Sequence, residues 1–321
     1  MTFTRLLSVA AISLGLVASA HAAGGSEKHP HPPEGGWTFE GPLGEFDQGA
    51  LQRGYQVYTT VCASCHSMKL LSYRNLGEKG GPFYSPDYPA NQNPLVKAIA
   101  AENEILGGLD DFGDPLYRAA TPADRFKSPY PNDVAARAAN GGALPPDFSA
   151  LVKARPGGAS YIYSLLSGYP DDPEYDGIFE FPGTFEAAAD GHGDGEHGDE
   201  AHADGDKHEL HGKLEQPLGQ YYNPYMPGDV TPQWQGDPRH VPPGGFLAMP
   251  PVLIEGIVDY MDGTPATVDQ MAADVATFLA WASEPKQGNR KSAGLKVIAF
   301  LTVFAVLLWL SYHQIWRNVE H

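Results

Sequence analysis

Residues 61–70 read VCASCHSMKL and contain Cys62, Cys65 and His66, including both cysteines of the chain. Two thiols three positions apart, followed at once by an imidazole, suit a small set of chemistries. In an exported chain the pair would form a disulfide if it did nothing else. A redox-active dithiol would want a βαβ setting, and a structural zinc site would want a second pair of ligands. No βαβ pattern and no further cysteine accompany the motif. Cys-x-x-Cys-His is the attachment sequence for a c-type haem. One helical turn separates the thiols by the distance that lets them form thioethers with the two vinyl groups on one porphyrin edge. The next residue then directs its imidazole to the iron.

Such a group needs a sixth ligand or an open position, and methionine is the natural candidate beside histidine. Met68 is too close to His66 to cross the ring. Met261 and Met271 fall within helix patterns, where methionine is usually a filler of the core. Met226, in NPYMPG, and Met249, in GGFLAMPPV, both lie in loops. Met249 is far along the chain, and Gly244, Gly245, Pro250 and Pro251 around it suit a loop held rigidly against an open face. A His/Met pair raises the haem potential, as an acceptor from a high-potential donor requires.

The elements that must position these residues read as short helices. Asp47 is an N-cap for a helix that places Leu51, Tyr55 and Tyr58 on one face with Val61 or Cys62, so the motif sits at that helix's C-terminal end. Further helices are expected at residues 95–105 and 132–139, in the run SYIYSLLSGY at 160–169, after the two prolines of PPVLIEGIVDYM, and over TVDQMAADVATFLAWASEP. The last carries Val268, Met271, Val275, Phe278 and Leu279 on one face. No internal repeat and no sustained alternation of strand type is present. The expected fold class is mostly α with long irregular loops, plus one C-terminal transmembrane helix.

Three domains follow. Residues 1–22 read as a secretory signal peptide, cut after Ala20 or Ala22. Residues 23–285 form the haem domain and residues 286–321 the membrane anchor, whose apolar stretch carries Trp309, Tyr312 and Trp316 as interface residues. Lys286, Arg290, Lys291 and Lys296 precede the anchor and only Arg317 follows it, a bias that a cleaved signal peptide overrides. A buried core helix is the competing reading of this segment. Residues 186–215 are acidic, low in complexity and rich in histidine (His192, His197, His202, His208, His211), and read as a disordered surface insertion. Loose divalent-metal binding there is the alternative to a solvated loop. The formal net charge of −18 argues against nucleic acid and for a cationic protein partner.

Beyond the motif, VYTTVCASCHSMKLLSYRNL, RAANGGALPPDFSALVKARPGGASYIYSLLSGY, YYNPYMPG, LAMPP and YMDGTPATVDQMAADVATFLAWASEP occur in one order along the chain. In these stretches and in the C-terminal helix the sequence resembles the cytochrome c1 family, the haem subunits of bacterial-type cytochrome bc1 complexes, over nearly all of the mature chain. The resemblance implies a cytochrome c-like haem domain with one covalent haem c, Cys62 and Cys65 forming thioethers and His66 and Met249 serving as axial ligands. It implies that Arg155 meets a haem propionate and that Asn140, Pro145, Pro146 and Tyr161 line the haem environment. A surface ion pair for Arg155 and plain core packing for Tyr161 are the competing readings.

The implied function is that of a non-quinol-binding subunit of ubiquinol:cytochrome c oxidoreductase, which carries electrons without catalysing by itself. It would accept an electron from a Rieske iron–sulfur protein and pass it to a soluble cationic cytochrome c. Cytochrome b would be its partner in the membrane, and the whole complex would be dimeric. The anchor would cross the inner membrane once, with the haem domain in the periplasm and the C-terminus in the cytoplasm. A free-standing anchored cytochrome feeding a terminal oxidase is the alternative.

Overall fold

The computed structural model describes residues 28–170, 178–186 and 207–317, with side chains described for 28–170 and 212–317. The signal-peptide segment and residues 187–206 of the acidic stretch therefore lie outside the described residues.

Helix α1 (Gln48–Val57) begins where Asp47 accepts the Ala50 N–H at 2.7 Å, and it turns Leu51, Gly54 and Val57 inward. Its end widens into a π-helical turn, Tyr58–Cys62, which delivers the cysteine motif. After α2 (Pro94–Ala101) come an antiparallel hairpin, β1 (Glu104–Leu109) and β2 (Pro115–Ala119), and then α3 (Asp133–Ala139), which Asn132 caps. Two 3₁₀ turns, Phe148–Ala150 and Val152–Ala154, lead into α4 (Gly158–Ser167).

The spine of the domain is α5 (Val268–Ser283), capped by Thr267 and buried along most of its length at Met271, Val275, Phe278, Leu279 and Trp281. It packs against α1, α4 and both 3₁₀ turns. The approach to α1 is close because Gly54 has no side chain: a Cβ there would lie 2.1 Å from the Asp274 carbonyl oxygen. Beside this contact Arg53 grips the buried Asp274 through two nitrogens, at 2.9 and 3.0 Å, and reaches Asp262 at 2.8 Å. These paired charges fix the rotation of α1, and so the direction in which its C-terminal end presents the motif.

The fold is mostly α, as expected, but strands are more frequent than the sequence pattern suggests. Strands β3 (Ile178–Glu186), β4 (Lys207–Glu215) and β6 (Trp234–Gly236) form an antiparallel sheet in the order β3-β4-β6. Strands β5 (Tyr221–Asn223) and β7 (Gly245–Leu247) form a second pair. Residues 207–215, expected within a disordered insertion, are strand, and Leu214 is fully buried beside Tyr222 and Val230. Strands β5, β6 and β7, at three residues each, are too short to show alternation, and partners distant in sequence hold them.

The helix expected after the two prolines does not form. Residues 250–261 are turns, with Gly256 in the left-handed region (φ +73°), and Met261 stands fully in solvent rather than in a core. Two prolines remove donors, and the Gly256 N–H is taken instead by the Ala266 carbonyl at 3.0 Å.

Helix α6 (Gln287–Trp316) runs for 30 residues and has no buried side chain. It starts before the apolar stretch, and at about 1.5 Å per residue it exceeds the roughly 30 Å of a bilayer core. Its first turns stay with the domain. Lys291 Nζ donates to the carbonyls of Phe39 and Gly44 at 2.6 and 3.0 Å, and Arg290 pairs with Glu284, which also meets Lys153 at 3.2 Å.

Candidate haem site

The motif forms one tight turn: the N–H groups of Cys65 and His66 both donate to the Cys62 carbonyl, at 3.1 and 2.9 Å. Both cysteines are free thiols, Cys62 buried and Cys65 half-buried, so the disulfide reading is not realised. Burial pushes the Cys62 thiol up to about 12, and the nearby Cys65 adds to the shift. Tyr130 donates to the Cys65 sulfur at 3.9 Å, and Asn140 supports that hydroxyl at 3.1 Å while bonding back to the Ala136 carbonyl.

His66 is buried, and its ring is held by Pro146 and Phe148. Its Nδ1 lies 2.9 Å from the Pro146 carbonyl, and a carbonyl only accepts, so the proton is on Nδ1. Nε2 is left with its lone pair, the form in which imidazole binds a metal. Phe148 stacks on the ring with centroids 4.0 Å apart and planes 18° from parallel. Burial lowers the pKa of His66, outweighing the Pro146 hydrogen bond, and keeps the ring neutral. Pro145 and Pro146 fix the direction of the accepting carbonyl because the ring of each restricts the backbone around it.

A second group of the expected residues gathers at α4. Tyr161 is buried and its hydroxyl donates to the Met226 sulfur at 3.7 Å. Burial raises the pKa of Tyr161, and the Arg155 charge opposes the rise. Arg155 is exposed, bonds only the Ala154 carbonyl at 3.3 Å, and has no carboxylate partner among the described residues, so the surface-ion-pair reading is not seen. Met249 is half-buried and is held through its backbone: Tyr169 donates to its carbonyl at 2.7 Å. Its sulfur accepts no hydrogen bond among the described residues.

The structure thus joins Cys62, Cys65, His66, Asn140 and Pro146 in one cluster, and Arg155, Tyr161 and Met226 in another. No hydrogen bond or ring contact among the described residues links Met249 to the cysteine motif. The two loops that carry Met226 and Met249 are tied together by the β5–β7 pairing, where Gly245 packs against the backbone of Gly228. The sequence reading missed Tyr130, Asp147, Phe148 and Tyr169. Three of them lie inside motifs already quoted, but nothing in their spacing announces a partner far away in the chain.

The donor set suits a haem: two uncrosslinked thiols one turn apart, a neutral imidazole with Nε2 open, and a guanidinium with no carboxylate partner among the described residues. Fold and site together define the class, a mostly helical domain with a donor set suited to haem, joined to one apolar C-terminal helix. Comparison with known proteins narrows it. The model of the cytochrome c1 family matches residues 37–319. Cytochrome c1 of Rhodospirillum rubrum is 39% identical over 326 residues, covering 99% of this chain and 98% of that protein. The mitochondrial cytochrome c1 heme protein of Saccharomyces cerevisiae is 35% identical over 303 residues, covering 94% of this chain and 77% of that one. A protein named cytochrome b/c1 from Bradyrhizobium diazoefficiens is 39% identical over 98% of this chain, which spans only 39% of that longer protein. This chain belongs to the cytochrome c1 family, whose members carry haem in respiratory electron transport.

Proposed function

We propose that this chain is the electron-transfer subunit of a cytochrome bc1 complex, accepting one electron from a Rieske iron–sulfur protein and delivering it to a soluble cationic cytochrome c. Cys62 and Cys65 would hold one haem c through thioethers, with His66 and Met249 as axial ligands. The group supplies a one-electron iron centre; the chain binds it, orients it and shields it from water.

The observation that carries this reading is the hydrogen bond from His66 to Pro146, which leaves Nε2 as the only ligating atom of a neutral, buried imidazole. Two tyrosines distinguish the candidate methionines. Tyr161 engages the sulfur of Met226, whereas Tyr169 holds Met249 by its carbonyl and leaves the thioether for ligation. Asn140 acts through Tyr130 on Cys65, and Arg155 is the cation for a propionate.

As a partner in the membrane, cytochrome b is supported by the name of the Bradyrhizobium relative and by that of a Candida albicans relative, "Cytochrome b-c1 complex catalytic subunit". Helix α6 would cross the inner membrane once, with the haem domain in the periplasm and the C-terminus in the cytoplasm. As a subunit of ubiquinol:cytochrome c oxidoreductase it binds no quinol itself, and the complex would be dimeric. The formal charge of −18 suits fast docking of a cationic carrier by complementary fields.

The test is purification in mild detergent with a redox-titrated visible spectrum. Co-purification with cytochrome b and a Rieske protein, one c-type haem per chain and a far-red methionine–iron(III) band are expected. A c-type haem on a chain that travels without those subunits would instead support the free-standing cytochrome.

A further inference from the structure

Asp147 sits between Pro146 and Phe148, the two residues that hold the His66 ring. Its Oδ2 accepts from the Ser67 hydroxyl at 2.7 Å and from the Lys69 N–H at 2.9 Å, and its Oδ1 accepts from the Ser149 N–H at 2.9 Å. Two further bonds run alongside: Phe148 N–H to the Ser67 carbonyl at 2.8 Å and Leu70 N–H to the Ser149 hydroxyl at 2.9 Å. The segment after His66 and the segment that orients His66 are thus stitched together through one carboxylate.

That carboxylate has no cationic partner among the described residues. Lys69, whose backbone N–H donates to it, pairs through Nζ with Asp133 at 3.8 Å, and Lys153, the nearest lysine in sequence, pairs with Glu284 at 3.2 Å. Burial works against the charge of Asp147, but the hydrogen bonds from Ser149, Lys69 and Ser67 outweigh it and hold the carboxyl below the usual range. An ionised group in a half-buried setting keeps a field that bulk water would otherwise screen.

We propose that Asp147 is a positioning residue for the proximal histidine, and that its negative charge biases the bound iron towards the oxidised state. This rests on His66 being an axial ligand. A group acting through the neighbours of a ligand tunes a metal in two ways: it fixes the orientation of the ligand, and it contributes charge. A carboxylate favours the more positive oxidation state and so lowers the reduction potential. Asp147 does this from outside the coordination sphere, through Pro146, Phe148 and Ser67.

The test compares two variants with opposite expected signs, measured on the complete detergent-purified complex at neutral pH. Asp147→Asn keeps an N-cap residue and one acceptor oxygen but removes the charge. Its midpoint potential is expected to shift upward, with the pyridine haemochrome and far-red band unchanged. Ser67→Ala keeps the charge and removes one of the three donors that spread it, so its potential is expected to shift downward. Ser67→Ala also serves if Asp147→Asn fails to assemble. An unchanged potential in either variant, with the haem spectrum intact, overturns the proposal while leaving the haem reading in place. A wild-type complex lacking the c-type haemochrome overturns that reading itself, and the proposal with it.

Discussion

The imidazole of His66 donates its Nδ1–H to the carbonyl of Pro146, 80 positions away in the chain, at 2.9 Å. One bond settles the tautomer, the ring plane and the direction of the other nitrogen. A metal ligand whose second nitrogen is held in this way keeps its orientation when the oxidation state changes.

The two loop methionines should separate cleanly. Met249→Leu should keep the haem attached through Cys62 and Cys65, lose the far-red band and lower the midpoint potential sharply, because a thioether favours the reduced state. Met226→Leu should leave both readouts close to wild type, since Tyr161 already engages that sulfur. The reverse pattern would assign the distal position to Met226.

Phe148 is buried, stacks on His66 and packs near Tyr58. Phe148→Ala should cost roughly 3 kcal/mol through lost burial and the cavity left behind. The loss of a rigid ring beside the ligand should also make exogenous imidazole bind more tightly at the iron. Thermal unfolding and imidazole titration of the purified complex check the two effects, and a stable variant with ordinary imidazole affinity would show that the stack is incidental.

Arg155 carries an exposed charge without a carboxylate partner among the described residues. The proposed propionate contact predicts that Arg155→Gln lowers the midpoint potential, because removing a cation beside the group favours the ferric form. Thermal stability should hardly change, as no ion pair within the described chain is broken. An unaltered potential would return Arg155 to the solvent.

Glu284 joins the haem domain to α6 by meeting Arg290 and Lys153. The hydrogen bond from Arg290 holds its carboxyl below the usual range, against the opposing effect of burial. A depressed pKa in the folded state gives a contribution that is present above the unfolded value, about 4.3, and lost as pH falls through the folded value. Glu284→Gln should therefore lower Tm near neutral pH, and the difference from wild type should shrink as pH falls below about 4.3 and vanish once pH is below the folded value. A difference that persists into acid would mean that the charge of Glu284 plays no part.

What was legible in the sequence was local. Cys62, Cys65 and His66 form a recognisable motif within five residues, the pattern from Val268 to Leu279 marks the central helix, and the apolar run before Trp316 marks α6. Each of these signals repeats within one or two helical turns, so a short window contains it. The helix expected at residues 250–261 failed because a Pro-Pro start and a short apolar run read alike whether or not Gly256 turns left-handed to meet Ala266. Strand β4 was hidden inside an acidic stretch because its order comes from pairing with β3 and β6, not from its own composition. Only the tertiary structure decided that the Pro146 carbonyl accepts the hydrogen bond from His66 Nδ1, that Phe148 covers the ring and that Asp147 ties this segment to Ser67 and Lys69. Hydrogen bonds and ring contacts act over about 3 to 6 Å of space, and the chain segments they join can be any distance apart in sequence.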